Sequence, residues 1–200
     1  MPGRDKKLQR FIDAIEAGIQ ARAADFPDAM LMASRIFLAM KDIGDVDGKN
    51  TPARLDTCGH LESAYHQAYK GPDPIPGLTD AFAAIEPALA WNRRPEAAQV
   101  AGDFYNNHAN AIIVGKGGLE VRQDVLIGVS LVAPEITYPR HHHPPEELYV
   151  VLSPGEWMQD DKPMVAKRSG DLVHNPPNVW HSMQAREAPL LAIWCLWINE

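Results

Sequence analysis

Three consecutive histidines stand in the stretch TYPRHHHPPEELYVVL, residues 137 to 152, of a chain that has only eight histidines. Side chains of an extended segment alternate between its two sides. His141 and His143 therefore share one side, and His142 points the other way. A flexible polar loop could also carry such a tract, so the residues that follow must decide between the two interpretations.

Glu147 and Tyr149 lie on one face of the apolar segment that comes next, EELYVVL. If the Pro144–Pro145 pair bends the chain without changing its register, both side chains point to the same cavity as His141 and His143. Imidazole nitrogens and carboxylate oxygens bind Zn, Fe, Mn and Ni, and this mixture does not choose among them. The spacing predicts a site for one divalent transition metal.

A metal site of this kind needs a further ligand from elsewhere in the fold. The segment RSGDLVHNPPNVWHSM, residues 168 to 183, provides two candidates, His174 and His181. His174 lies in a strand-to-turn position, and we expect it to be structural.

Together the two segments resemble the two motifs of the cupin superfamily. The first motif, HxHxxxE, is matched by His141, His143 and Glu147, and the second, G(x5)PxG(x2)H, by Gly170, Pro176 and His181. Asn178 replaces the second glycine, and asparagine accepts a positive φ better than most residues. The resemblance covers roughly residues 100 to 200 and implies a small antiparallel barrel in which both motifs face the interior and hold one metal.

A closer resemblance is to the Q-type dimethylsulfoniopropionate (DMSP) lyases, carbon–sulfur lyases that cleave DMSP to dimethyl sulfide and acrylate. It rests on the motif residues Tyr138, His141, His143, Glu147, Tyr149 and His181, preceded by about a hundred helical residues. This resemblance implies that His143, Glu147 and His181 hold the metal, with Tyr149 at or in its coordination sphere. It further implies Tyr149 as the base, with Tyr138 and His141 lining the substrate pocket.

The elimination requires a base for a carbon-bound proton, a Lewis acid for the substrate carboxylate, and a partner for the sulfonium group. Aromatic faces attract such cations. The candidates in the second half of the chain are Tyr105, Trp157, Trp180, Trp194 and Trp197. Trp194 and Trp197 cannot face the same side of one strand, and we expect both to serve mainly in packing.

These residues require two kinds of element to position them. Residues 4 to about 96 show apolar residues at helical spacing, with a second helix starting at Pro27 and a third at Thr51–Pro52. From about residue 100, short β-branched or aromatic runs alternate with Gly, Pro, Asn and Asp clusters. The runs are AIIVG, VLIGVSLVA, ELYVVL, DLVHN and LLAIWCLWI. We therefore predict a helical N-terminal part, residues 1–98, packing on an all-β small antiparallel barrel, residues 99–200, which is α+β overall. The segment 105–118 is a candidate lid because of its Asn and Gly content.

Composition limits the classes of partner and the location that we expect for this protein. The net charge of −7, without a long Lys/Arg cluster, argues against nucleic acid. No apolar stretch could span a bilayer, and the N-terminus lacks the apolar region of a secretory signal, so a cytoplasmic protein is expected. Cys58 and Cys195 form no metal-binding or disulfide pattern. The oligomeric state stays open, with a homodimer among the options.

Two alternatives to a DMSP lyase remain at this stage. One is another metal-dependent cupin enzyme, such as an Fe(II) dioxygenase, which would not need Tyr149. The other is a cupin that binds a small molecule without catalysis, for which incomplete metal ligands would be expected.

Overall fold

The computed structural model describes residues 3–46, 50–94 and 102–198, and its helices precede its strands. The helices are α1 (Lys6–Gln20), α2 (Pro27–Ala39), α3 (Leu61–Ala68) and α4 (Ile75–Ile85). Short 3-10 turns stand before α3 at Asp56–His60 and after α4 at Glu86–Ala88. No helix within these three ranges is long and apolar enough to cross a membrane.

Local signals explain where the helices begin. The Asp5 side chain accepts hydrogen bonds from the backbone amides of Lys7 and Leu8 and so caps α1. Pro27 starts α2, as predicted. The backbone N–H groups of a first helical turn have no partner within the helix, so the missing N–H of proline costs no hydrogen bond there. The third helix does not begin at Thr51–Pro52. Residues 51–55 are not helical, and Ala53 forms a parallel bridge with Ala90.

In the part of the chain that the structure describes, nine strands form two antiparallel sheets. They are β1 (His108–Val114), β2 (Val125–Val132), β3 (Thr137–His141), β4 (Glu146–Val151), β5 (Gly155–Gln159), β6 (Val165–Lys167), β7 (Leu172–Asn175), β8 (His181–Gln184) and β9 (Leu190–Trp197). The larger sheet has the order β1-β2-β9-β4-β7 and the smaller one β3-β8-β5-β6. This confirms the predicted α+β fold with a small antiparallel barrel.

The predicted lid is wrong for half of its length. Residues 108–114 form β1, which pairs with β2 through the register from His108↔Val132 to Val114↔Ile127. Burial on the core side makes this segment part of the barrel wall, and its Asn and Gly content misled the prediction.

The helices cover the outer face of the larger sheet. Ile127 and Val129 of β2 and Ile193 of β9 belong to the same buried cluster as Phe11 of α1 and Phe82 of α4. The alternate residues of these strands face the barrel interior, where a second cluster contains Tyr149, Trp157 and Met183 among others. Because β2, β4 and β9 are thus covered on both faces, their sequences consist mainly of apolar residues. The predicted boundary between residues 98 and 99 lies outside the described residues.

Candidate metal centre and active site

Three ligand-type side chains meet at one end of the barrel interior. The imidazole nitrogens of His143 and His181 and the carboxylate of Glu147 lie within 4.8 Å of one another. The Nε2 atoms of both histidines are 3.3 Å from Oε2 of Glu147. Glu147 lies in β4 of the larger sheet, His181 begins β8 of the smaller one, and His143 lies in the β3–β4 connection. The cluster therefore joins the two sheets.

The backbone fixes which nitrogen of each histidine can bind a metal. Nδ1 of His143 lies 2.9 Å from the Pro145 carbonyl oxygen, and Nδ1 of His181 lies 3.0 Å from that of Val179. A carbonyl oxygen can only accept, so Nδ1 carries the hydrogen and Nε2 offers its lone pair to the cluster. Nε2 of His181 is buried and has no hydrogen-bond partner. A metal ion bound by the three side chains would satisfy this atom, so the residues fit the group.

Electrostatics favour the ligand forms of two members of this triad. Burial alone would raise the pKa of Glu147, but hydrogen bonding to His143 and the charges of both histidines lower it below the usual value. Burial lowers the pKa of His181. For His143, burial lowers the pKa, but hydrogen bonding and the charge of Glu147 outweigh it and raise the pKa. A proton and a metal ion therefore compete for His143 Nε2.

His141 lies beside the triad. Its ring centroid is 4.1 Å from that of His181, and its Nδ1 is 2.9 Å from the Pro139 carbonyl oxygen. Burial, and then the charge of His181, lower its pKa to about 3. Among the described residues it is not one of the three whose ligand atoms cluster. The imidazole is thus a neutral neighbour of the triad with Nε2 available as an acceptor.

Tyr149 and Tyr138 complete the predicted set. Tyr149 follows Glu147 on the inner face of β4, and burial, the charge of Glu147 and a hydrogen bond to it raise the Tyr149 pKa well above the ordinary value. The Tyr138 hydroxyl accepts a hydrogen bond of 3.2 Å from Nδ2 of Asn110. Without a compensating positive charge, Tyr149 is a neutral phenol.

All of these side chains except His181 line one cavity of about 290 Å³. Its lining consists of Arg94, Asn110, Leu126, Ser130, Tyr138, His141, His143, Glu147, Tyr149, Trp194 and Leu196. The structure thus brings together the predicted catalytic residues and two of the predicted ligands around a space suited to a small molecule.

Sequence reasoning missed Arg94, Asn110 and Ser130 among these lining residues, and it named Trp194 only as one of five aromatic candidates. Trp194 lines the cavity and donates from Nε1 to the Ser130 hydroxyl at 3.1 Å, whereas it was expected mainly to pack. Its position in β9 opposite β2 could have indicated an inward face. Arg94 precedes the barrel, and no local pattern marks it. Tyr105, Trp157, Trp180 and Trp197 do not line this cavity.

The remaining histidines and glutamate of the two motifs lie outside the cluster. The His142 ring packs 4.1 Å from that of Trp180, centroid to centroid. Nε2 of His174 is 2.6 Å from Oε1 of Glu146. Glu146 is half-buried in this pair. Among the described residues, His174 is not one of the three whose ligand atoms cluster, which agrees with the expectation that it is not a ligand.

Comparison with known proteins agrees with these observations. Residues 31–192 match the family described as dimethylsulfoniopropionate lyase. The chain belongs to the DMSP lyase family. The DMSP lyase DddQ of Ruegeria pomeroyi is 26% identical over 155 residues, which are 75% of this chain and 73% of the relative. The putative DMSP lyase DddL of Cereibacter sphaeroides is 29% identical over 123 residues, 61% of this chain and half (50%) of DddL.

Solved structures of DMSP lyases share this fold. One, from work on the DMSP lyases RdDddP and RnDddQII, superimposes with a TM-score of 0.68 at 23% identity, covering 96% of this chain and 92% of the other. DddQ of Ruegeria pomeroyi gives a TM-score of 0.60 at 22% identity, covering 90% of this chain and 91% of the other. The helical part and the barrel are therefore shared with these DMSP lyases.

Proposed function

We propose that this protein is a metal-dependent DMSP lyase that forms dimethyl sulfide and acrylate by β-elimination. The observation that carries the proposal is the opening of the His143–Glu147 side of the triad, with Tyr149 beside it, into one small cavity of a chain that belongs to the DMSP lyase family.

His143, Glu147 and His181 would hold one divalent transition metal, and Zn, Fe, Mn and Ni all suit this donor set. When bound, such an ion supplies positive charge that favours the Tyr149 phenolate and stabilises negative charge on the substrate carboxylate. Tyr149 is proposed as the base because it is buried, lines the cavity and adjoins Glu147. Its direct contact with the metal is part of the same proposal.

In the proposed reaction Tyr149 takes the proton from the carbon next to the carboxylate. The electron pair of that C–H bond forms the double bond of acrylate, and the C–S bond breaks. Its electron pair leaves with sulfur as neutral dimethyl sulfide, so no general acid is required. Tyr138 and His141 line the cavity and orient the substrate, and Trp194 offers an aromatic face to the sulfonium.

The test is headspace detection of dimethyl sulfide from purified protein incubated with DMSP. We expect release from the wild type and its loss in both Tyr149→Phe and metal-stripped protein, with recovery of the latter on adding a divalent metal. Release that survives in Tyr149→Phe would move the base to another residue, with Tyr138 as the first candidate. No release with any of the four metals would overturn the assignment and leave a different metal-dependent cupin reaction.

A cytoplasmic location and a homodimer are further proposals that need their own tests. Cell fractionation would check the first and light scattering of the purified protein the second.

A further inference from the structure

Two side-chain amides, one buried and one half-buried, connect the triad to the neighbouring sheet. Nδ2 of Asn175 donates to Oε2 of Glu147 at 3.0 Å, the same oxygen that both ligand histidines face. Oδ1 of Asn175 in turn accepts from Nε2 of Gln159 at 2.7 Å. Gln159 Nε2 also donates to the His174 carbonyl oxygen at 2.6 Å. The accepted bond fixes the Asn175 amide with its N–H group toward Glu147.

The strand registers place this chain directly beside the metal ligands. Asn175 of β7 is the cross-strand partner of Glu147 in the larger sheet. Gln159 of β5 is the cross-strand partner of His181 in the smaller sheet. The Asn175–Gln159 hydrogen bond therefore links the two sheets at the level where each one supplies a metal ligand.

We propose that Asn175 and Gln159 form an inter-sheet amide clasp that positions Glu147 against His181 and so sets metal affinity. The two are positioning residues, because neither is among the side chains that line the substrate cavity. This inference rests on the proposed metal site and adds the two residues that orient its carboxylate ligand.

The clasp acts by fixing one carboxylate rotamer. Asn175 is fully buried and Glu147 is 3% exposed, so neither side chain can replace its partner with water at no cost. Without the Asn175 donor, Oε2 of Glu147 would lose the bond that holds it between the two histidines. Without Gln159, the Asn175 amide could rotate and present its oxygen to the carboxylate, which repels it.

The experiment measures Zn²⁺ and Co²⁺ dissociation constants by chelator competition in Asn175→Leu, Gln159→Met and the double variant. Gln184→Met, the same change on the outer face of β8, is the matched control. Circular dichroism of the metal-free proteins checks folding, and Gln159→Met, at a half-buried position, keeps the test valid should Asn175→Leu not fold.

We expect Asn175→Leu to weaken metal binding by about 10- to 100-fold, the usual effect of removing a group that orients a ligand. Gln159→Met should weaken it less, and the double variant should match Asn175→Leu because Gln159 acts through Asn175. The Co²⁺ absorption spectrum of Asn175→Leu at saturating metal should differ from that of the wild type, while Gln184→Met should match the wild type in both measurements.

Unchanged affinities and spectra in the clasp variants, with stoichiometric binding by the wild type, would overturn the clasp and leave the metal site standing. Effects that simply add in the double variant would also overturn it, since they would indicate independent structural damage. A wild type that binds no metal would overturn the clasp together with the metal-site part of the proposed function.

Discussion

Asn178 occupies the position where the second cupin motif has glycine, and its φ is 62°. This confirms the expectation that asparagine accepts the left-handed conformation there. The backbone N–H of Asn178 also donates to the carbonyl oxygen of His143 at 3.0 Å. A strained backbone at residue 178 would therefore displace a proposed metal ligand.

Replacing Asn178 by valine should destabilise the protein by about 1–2 kcal/mol, because a β-branched residue is poorly accommodated at positive φ. Asn178→Gly should stay close to the wild type, since glycine adopts this conformation freely. Urea denaturation of the two variants checks this. An equal loss of unfolding free energy in both variants would show that the position requires the asparagine side chain and not a residue that tolerates positive φ.

Arg94 brings positive charge to the cavity wall, and its backbone amide is fixed by a 3.0 Å hydrogen bond to Nε2 of His108. The proposed substrate carries a carboxylate, and the positive charge of Arg94 favours binding of that carboxylate. Arg94→Gln should raise KM for DMSP roughly 10-fold with a smaller effect on kcat, as for loss of one charge-assisted contact. Arg186→Gln, in an exposed pair with Glu156, is the control. A loss confined to kcat would contradict this assignment.

At the scale of the element, a glycine in β2 makes space for the cavity tryptophan. Gly128 is the cross-strand partner of Trp194, and a Cβ at residue 128 would collide with the indole ring and also with the backbone oxygen of Ala111. Position 128 therefore decides where the aromatic wall of the cavity lies.

Gly128→Ala should push the Trp194 indole out of place and raise KM for DMSP several-fold. The double variant Gly128→Ala/Trp194→Phe should recover part of the loss, because a smaller ring frees the space. Steady-state kinetics of both variants and of Trp194→Phe alone provide the check. A double variant worse than either single one would count against steric displacement.

At the scale of the whole molecule, helices and barrel share one apolar core. Phe82 of α4 is fully buried in the cluster that includes Ile193 of β9. We expect one cooperative unfolding transition, with helix signal by circular dichroism and barrel tryptophan fluorescence changing together. Phe82→Ala should lower the free energy of unfolding by about 3–5 kcal/mol and shift both signals equally. Separate transitions would make residues 1–98 an independent domain.

A buried ion pair between Arg4 and Glu120 connects the N-terminal segment to the β-strand region. Oε1 of Glu120 accepts from Nη2 of Arg4 at 3.0 Å and from the Gly44 amide at 2.9 Å. Burial alone would raise the pKa of Glu120, but these bonds and the charges of Arg4 and Arg122 lower it overall. A lowered folded-state pKa means stability that is present above the unfolded pKa of about 4.3 and lost as pH falls through the folded value.

Glu120→Gln should therefore cost roughly 1–3 kcal/mol of unfolding free energy at pH 7. The difference from the wild type should shrink at acidic pH, below the unfolded pKa of about 4.3, as the wild-type carboxylate gains a proton. Urea denaturation at both pH values, with the exposed Glu62→Gln as control, measures it. A difference that is the same at both pH values would show that the charge of Glu120 is not what matters.

The strands that sequence patterns located are those of the larger sheet, β1, β2, β4, β7 and β9. Three of them, β2, β4 and β9, are visible because helices cover one face and the barrel interior the other, which makes most of their residues apolar. The strands of the smaller sheet are short and partly exposed, as in the burial pattern of β3 and β6, and they carry no comparable signal. β8, which holds His181, was recognised only through its motif.

The sequence by itself determined the two motifs, the antiparallel barrel behind the helices, and the shared face of Glu147 and Tyr149. These depend on spacing of a few residues along one segment, where side-chain direction follows from local backbone geometry. The structure alone decided that Trp194 and Arg94 line the cavity and that Asn175 and Gln159 connect the sheets. Those contacts join residues far apart in the chain, and their partners are set by how two sheets pack, which no local period encodes.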